Sequence, residues 1–68
     1  MSTYTTVTPA YGADYKNQKE VKEAWDAGKD FRDARTLQYC SKRDFENEGP
    51  DVHVSVRYSK LTKVVNVR

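Results

Sequence analysis

The 68-residue sequence predicts an α+β fold in which one short helix packs on a small, mainly antiparallel β-sheet with a C-terminal β-hairpin. Three observations predict this fold. A run of β-branched and aromatic residues opens the chain, apolar residues recur at helical spacing in the middle, and valines alternate with polar residues near the end. A chain of this length supports one domain, residues 1–68, with a single hydrophobic core.

The opening run, residues 3–8, predicts a strand that ends at Pro9, because proline donates no hydrogen bond to a neighbouring strand. An aromatic loop follows, and we expect Gly12 to permit a tight turn within it. The rings of Tyr11 and Tyr15 are expected to cover the edge of the core rather than to form a ligand platform, with their hydroxyl groups in solvent.

Residues 18–27 predict the helix. Asn17 can cap its first turn, and Glu20 has the position of the reciprocal residue in a capping box. Gly28 suits the left-handed conformation that often ends a helix. A helix this short is unstable alone, so we expect its apolar stripe to anchor it on the sheet. That stripe comprises Val21, Ala24 and Trp25.

The segment from residue 30 to residue 40 shows no clean pattern. Asp33 and Arg35 interrupt the apolar face of an extended chain, which favours an irregular or bulged segment over a buried strand. The apolar residues of that face are Phe31, Leu37 and Tyr39.

A capped helical turn is predicted over residues 42–47. Ser41 has the N-cap position, and Asp44, three residues later, replaces the usual glutamate of a capping box. Gly49 and Pro50 then end this segment, since neither continues a helix.

The last 17 residues predict a β-hairpin with a four-residue loop over residues 59–62, built around a type I turn. Alternation from Val52 to Tyr58 predicts a half-buried strand, and the register follows from placing the valines on one face. The predicted pairs are Tyr58 with Lys63, Val56 with Val65 and Val54 with Val67 on one face, and Arg57 with Val64, Ser55 with Asn66 and His53 with Arg68 on the other.

The formal charge of +2 conceals an uneven distribution of charged residues. Residues 44–51 hold four acids and no base, whereas residues 52–68 hold four bases and no acid. A basic hairpin can contact phosphate groups, and tyrosine rings can stack on unpaired bases. The pattern is more typical of a solvated surface that protects a sheet edge, and the acidic segment disfavours broad coating of DNA. The candidate binding residues are Arg57, Lys60, Lys63, Arg68, Tyr39 and Tyr58.

The sequence predicts no enzyme, no cofactor and no metal site. Cys40 and His53, the only cysteine and histidine, are too few for a zinc site, and their spacing does not indicate a nucleophile–base pair. Catalysis by carboxylates such as Asp14, Asp30 and Asp33 is the remaining alternative. A single cysteine allows no intrachain disulfide, which favours the reducing cytoplasm. The sequence also contains no apolar run of membrane-spanning length and no Sec-type leader pattern.

Three segments carry a resemblance to a known group of proteins: residues 10–15 (AYGADY), residues 27–31 (AGKDF) and residues 58–65 (YSKLTKVV). In these segments the chain resembles a family of small bacteriophage proteins that has no assigned activity. The resemblance implies a phage-encoded product that acts in the cytoplasm of the host bacterium. It assigns no role to any residue.

We therefore expect a small non-catalytic interaction protein that binds a host or phage protein and modulates or inhibits it. Exposed charges and an abundance of aromatic side chains suit such an interface. The alternative is binding of a nucleic acid or a nucleotide-like anion, including a small phosphate ligand, through the basic face of the hairpin. Self-association into a homodimer is a further expectation, because a second copy would extend the small core.

Overall fold

The computed structural model describes residues 3–59 and 63–68, which form a five-stranded sheet with two short helices. The strand order is β3-β2-β1-β4-β5, with β1 and β4 parallel and the other three pairs antiparallel. The predicted α+β fold and C-terminal hairpin are thus confirmed. The elements are β1 (Thr3–Pro9), α1 (Gln18–Asp26), β2 (Phe31–Asp33), β3 (Tyr39–Cys40), α2 (Lys42–Phe45), β4 (Val52–Arg57) and β5 (Val64–Asn66).

The parallel pair lies at the centre of the sheet and supplies most of the sheet's buried residues. It runs from Thr3 opposite Val52 to Val7 opposite Val56, and the side chain of Val7 is fully buried. Alternation along β1 and β4 places one side of the sheet against the helices and leaves the other side open. The buried residues form one cluster, which comprises Val7, Val21, Trp25, Phe31, Val52, Val54, Val56, Tyr58 and Val65.

Helix α1 begins at the predicted cap. The side chain of Asn17 accepts a hydrogen bond from the backbone N–H of Glu20 at 2.9 Å. The Glu20 carboxylate accepts from the backbone N–H of Lys16 at 2.7 Å, so the reciprocal bond reaches one residue further back than a capping box requires. Gly28 adopts the predicted left-handed conformation, with φ +83°.

Trp25 anchors α1 on the sheet, as predicted. Its side chain is 2% exposed, and its ring centroid lies 5.6 Å from that of Phe31 and 5.8 Å from that of Phe45. Tyr15 covers the core edge by stacking on Phe31, with ring centroids 5.8 Å apart. The same prediction for Tyr11 is wrong, because that residue is 67% exposed and lies outside the core cluster.

The segment after α1 is a hairpin of β2 and β3, which corrects the prediction of an irregular or bulged segment. The backbone N–H of Asp33 donates to the carbonyl of Gln38 at 2.8 Å and closes the loop between the strands. The Asp33 carboxylate accepts from the backbone N–H of Arg35 at 2.7 Å, and Leu37 adopts φ +61°. The acid that interrupts the apolar pattern therefore stabilises a turn.

The capped turn after β3 is confirmed, with helix α2 shorter than predicted. The Asp44 carboxylate accepts from the backbone N–H of Ser41 at 2.6 Å, and the backbone N–H of Asp44 donates to the carbonyl of Ser41 at 3.0 Å. The helix covers Lys42–Phe45 and packs Phe45 against the core.

The register of the terminal hairpin is confirmed for the residues nearest its loop. Val56 pairs with Val65, and the backbone N–H of Tyr58 donates to the carbonyl of Lys63 at 3.1 Å. The predicted four-residue loop contains residues 60–62, which lie outside the described residues.

The predicted pairing changes at the end of β5. The backbone N–H groups of Val67 and Arg68 both donate to the carbonyl of Val54, at 2.9 and 3.2 Å, and the Val54 N–H donates to the carbonyl of Arg68. Two residues therefore face one, as in a β-bulge. The predicted pair of His53 with Arg68 is wrong for this reason.

Neither of the helices in residues 3–59 and 63–68 is long and apolar enough to cross a membrane.

Candidate functional site

The side of the sheet away from the helices, here called the open face, carries hydroxyl, aromatic and basic side chains. Its residues follow from the alternation along each strand and from the strand register. None of them is acidic. The open face comprises Tyr4, Thr6 and Thr8 from β1, Arg32 from β2, Tyr39 from β3, His53, Ser55 and Arg57 from β4, and Val64 and Asn66 from β5.

One end of the open face holds a stacked aromatic pair. Tyr4 and His53 are neighbours across the parallel strands, with ring centroids 4.9 Å apart and planes 19° apart. Tyr4 is nevertheless 76% exposed, so most of its ring surface is accessible. The two rings cover one face of each other, and the rest of the Tyr4 ring remains accessible to solvent.

A second aromatic group lies at the other end of the open face. Tyr39 is 56% exposed and meets Tyr11 edge to face, with centroids 6.4 Å apart. The guanidinium carbon of Arg32 lies 3.9 Å from the centroid of the Tyr11 ring, and its Nε donates to the carbonyl of Pro9 at 2.9 Å. These two contacts fix the position of the guanidinium group.

Small polar residues lie beside the pair of Tyr4 and His53: Thr6 on β1, Ser55 on β4 and Asn66 on β5. The Ser55 hydroxyl donates to the side-chain oxygen of Asn66 at 2.7 Å across β4 and β5. From Tyr4 to Thr8, a distance of four residues, β1 extends about 13 Å. The open face is therefore long enough to hold aromatic contacts at both ends of a bound strand or peptide.

A cleft of about 480 Å³ lies where the parallel strands end. Thr8 and Arg57 line it from β1 and β4, Arg32 lines it from β2, and the loop of residues 10–14 completes it. The Thr8 hydroxyl is buried and has no hydrogen-bond partner among the residues that the structure describes. Asp14 supplies the one carboxylate of the lining.

The arginines of this cleft form no ion pair within residues 3–59 and 63–68. The ion pair present there joins Lys42 and Asp26, 3.8 Å apart and both at the surface. The acidic segment that precedes β4 includes α2, whose Phe45 packs against Trp25 on the covered side of the sheet. The fold therefore places α2 on the side of the sheet away from the open face.

The predicted binding residues are not all brought together. Arg57 and Tyr39 belong to the open face. Tyr58 is 6% exposed and part of the core, so its ring is not presented for stacking, which corrects that prediction.

The three basic residues predicted around the hairpin loop and end are also dispersed. Arg68 donates through its guanidinium group to the carbonyls of Phe45 and Gly49, so it ties the end of the chain to the segment before β4. Lys63 is exposed, but it pairs with Tyr58 and belongs to the same side of the hairpin as Val65, which is not the open face. Lys60 lies outside the described residues.

The sequence interpretation missed several residues of this face. Tyr4 and His53 each carry a local signal, because each is a ring on the polar side of an alternating strand. No local pattern in the sequence indicates that Arg32 and Thr8 belong to the same site. Their proximity to Arg57 depends on the pairing of β1 with both β2 and β4, and β4 is distant from β1 in the chain.

Cys40 and His53 do not form a nucleophile–base pair. Cys40 packs against the core on the covered side of β3, whereas His53 lies on the open side of β4, three strands away. Burial raises the pKa of the Cys40 thiol to about 11, and the carboxylates of Asp33, Asp44 and Asp30 act in the same direction. The thiol is therefore protonated at neutral pH.

We expect Cys40 to react with iodoacetamide at pH 8 about 100-fold more slowly in the folded protein than in the urea-unfolded chain, because a pKa near 11 instead of 9.0 lowers the thiolate fraction by that factor. Because the pKa of Cys40 is higher in the folded than in the unfolded chain, the thiol's contribution to the free energy of unfolding is complete below pH 9. That contribution is lost as the pH rises towards 11. Mass spectrometry of timed samples gives both rates. Equal rates would show that the thiol is not shielded by the fold.

No family model, curated protein or solved structure matches the chain. The resemblance to small phage proteins therefore stays a prediction, and the function is argued from the geometry of this chain's own residues.

Proposed function

We propose that this protein is a non-catalytic binding module that binds single-stranded nucleic acid on its open face. The observation that carries the proposal is the pair of exposed aromatic groups, Tyr4 with His53 and Tyr11 with Tyr39, at opposite ends of a sheet face without acidic residues. Aromatic rings on an exposed sheet are the platform on which unpaired bases stack, and arginines beside them contact the phosphate backbone.

The geometry favours a single strand over a duplex. An accessible ring such as that of Tyr4 contacts the flat surface of a base, and in a duplex that surface is already covered by neighbouring bases. The two arginines of the open face, Arg32 and Arg57, add charge that is independent of base identity. We therefore expect modest affinity, little sequence preference and a strong dependence on salt.

Fluorescence anisotropy with a labelled oligothymidine tests the proposal. At about 50 mM salt, where electrostatic contacts are strong, we expect saturable binding to the single strand and weaker binding to a duplex of equal length. Tyr4→Ala should weaken binding about 5- to 150-fold, since stacking of one base on an aromatic ring contributes about 1–3 kcal/mol. The fold should be unaffected, because the ring is largely exposed.

Leu37→Ala is the matched control, because it removes an exposed apolar side chain from the loop between β2 and β3. It should leave the affinity unchanged. Absence of binding to the oligothymidine at low salt would contradict the proposal, as would equal losses in the Tyr4 and Leu37 variants.

A protein partner on the same face is the second candidate, in line with the sequence-based expectation of a phage-encoded modulator of a host or phage protein. Val64 is exposed on the same face as Tyr4 and Tyr39, which favours a protein partner, because tyrosine is enriched in protein interfaces. Capture from bacterial lysate with and without nuclease separates the two candidates. A protein retained after nuclease treatment, and lost with Tyr39→Ala, would favour this second function.

A further inference from the structure

The cleft at the end of the open face has the composition of a phosphate site. Thr8 lies on the central strand, with Arg32 beside it on β2 and Arg57 beside it on β4. The two arginine backbones are two strand spacings apart, about 10 Å, and their long side chains extend from the same face of the sheet. One tetrahedral anion between them can contact both guanidinium groups.

The hydrogen bonds of these three side chains are consistent with a phosphate site. The Arg32 guanidinium is held by the Pro9 carbonyl at its Nε, 2.9 Å away, so its terminal nitrogens remain available. The Arg57 side chain makes no hydrogen bond or ion pair in the part of the chain that the structure describes. The buried Thr8 hydroxyl has no partner there either, and an oxygen of a bound anion would supply its acceptor.

The position of the cleft suits the end of a nucleic acid strand rather than its interior. The loop of residues 10–14 lines the cleft directly after β1, so the open face ends there. A terminal phosphate carries up to two negative charges, whereas an internal phosphodiester carries one. Two arginines against the single carboxylate of Asp14 suit the more highly charged group.

We infer that the cleft between Arg32 and Arg57 binds a phosphate monoester and takes the terminal phosphate of a nucleic acid strand that lies on the open face. The identity of the ligand as nucleic acid rests on the proposed function. The phosphate site itself rests only on the three side chains and their cleft.

Two titrations test the inference. In the first, inorganic phosphate is added to ¹⁵N-labelled protein, and we expect saturable shifts of the backbone amides of Arg32, Arg57 and the loop of residues 10–14. Arg57→Gln should abolish these shifts. Arg43→Gln, which removes an exposed arginine from α2 on the other side of the sheet, should preserve them.

In the second titration, three oligothymidines of equal length are compared, one with a 5′-phosphate, one with a 3′-phosphate and one with hydroxyl groups at both ends. We expect one phosphorylated strand to bind about tenfold more tightly than the unphosphorylated strand, and Arg57→Gln to remove that difference. Equal affinities for all three strands, with no effect of phosphate on the cleft amides, would overturn the inference.

The outcomes separate this inference from the proposed function. If phosphate shifts the cleft amides and no oligothymidine binds, the phosphate site is supported and the nucleic acid function is contradicted. If the oligothymidines bind and Tyr4→Ala weakens that binding, but phosphate does not shift the cleft amides and Arg57→Gln does not change the affinity, the proposed function stands and the phosphate site is excluded.

Discussion

Replacing Trp25 with alanine is expected to remove a large share of the protein's stability, or all of it. The indole is the largest side chain of the core and packs between Phe31 and Phe45. Removing a buried aromatic ring costs about 3–5 kcal/mol. A folded chain of this length is stable by roughly 3–10 kcal/mol, so the loss removes much or all of the margin.

Urea denaturation followed by circular dichroism measures this loss. Tyr39→Ala is the control, because it also removes an aromatic ring, and that ring is 56% exposed. We expect the control to change the unfolding free energy by less than about 1 kcal/mol, as for most surface substitutions. Equal midpoints for the Trp25 variant and the wild type would show that α1 is not anchored to the sheet through this ring.

Local signals in the sequence were sufficient for α1 and for the terminal hairpin. The cap at Asn17, the helical spacing of Val21 and Trp25, and the alternation of Val54 with Ser55 all operate within a few residues. Such patterns are fixed by backbone geometry, so they can be interpreted without knowledge of the rest of the chain. The sequence does not predict the β2–β3 hairpin, because Asp33 interrupts the apolar pattern of a strand, whereas its carboxylate accepts hydrogen bonds from the backbone of a turn.

The candidate site was less predictable because it depends on contacts between distant parts of the chain. The sequence predicted a basic face formed by the hairpin alone, and of its basic residues only Arg57 lies on the open face among those that the structure describes. The second arginine, Arg32, comes from a strand two positions away in the sheet. No local pattern specifies that β1 lies between them, since parallel pairing of β1 with β4 joins residues about 50 positions apart.

The same substitution at two adjacent positions of β4 should therefore have two different effects. Val54 is fully buried, and aspartate there would place a carboxylate in the core without a partner. We expect Val54→Asp to be unfolded in water, with a loss of more than about 4 kcal/mol. Ser55→Asp places its carboxylate on the open face, where we expect the protein to remain folded and binding of oligothymidine to fall at least tenfold through repulsion of the phosphates.

Ser55→Ala separates the effect of the new charge from that of the lost hydrogen bond between Ser55 and Asn66. It should cost about 1 kcal/mol of stability and leave most of the affinity. Circular dichroism measures the stability of the three variants, and anisotropy measures their affinity for oligothymidine. The salt dependence identifies repulsion, because the loss of affinity caused by the Ser55→Asp carboxylate should shrink as salt rises. A folded Val54→Asp variant would contradict the assignment of β4's two faces. A Ser55→Asp variant with wild-type affinity would place the binding surface elsewhere, since position 55 lies on the open face beside Thr6 and two residues along β4 from His53.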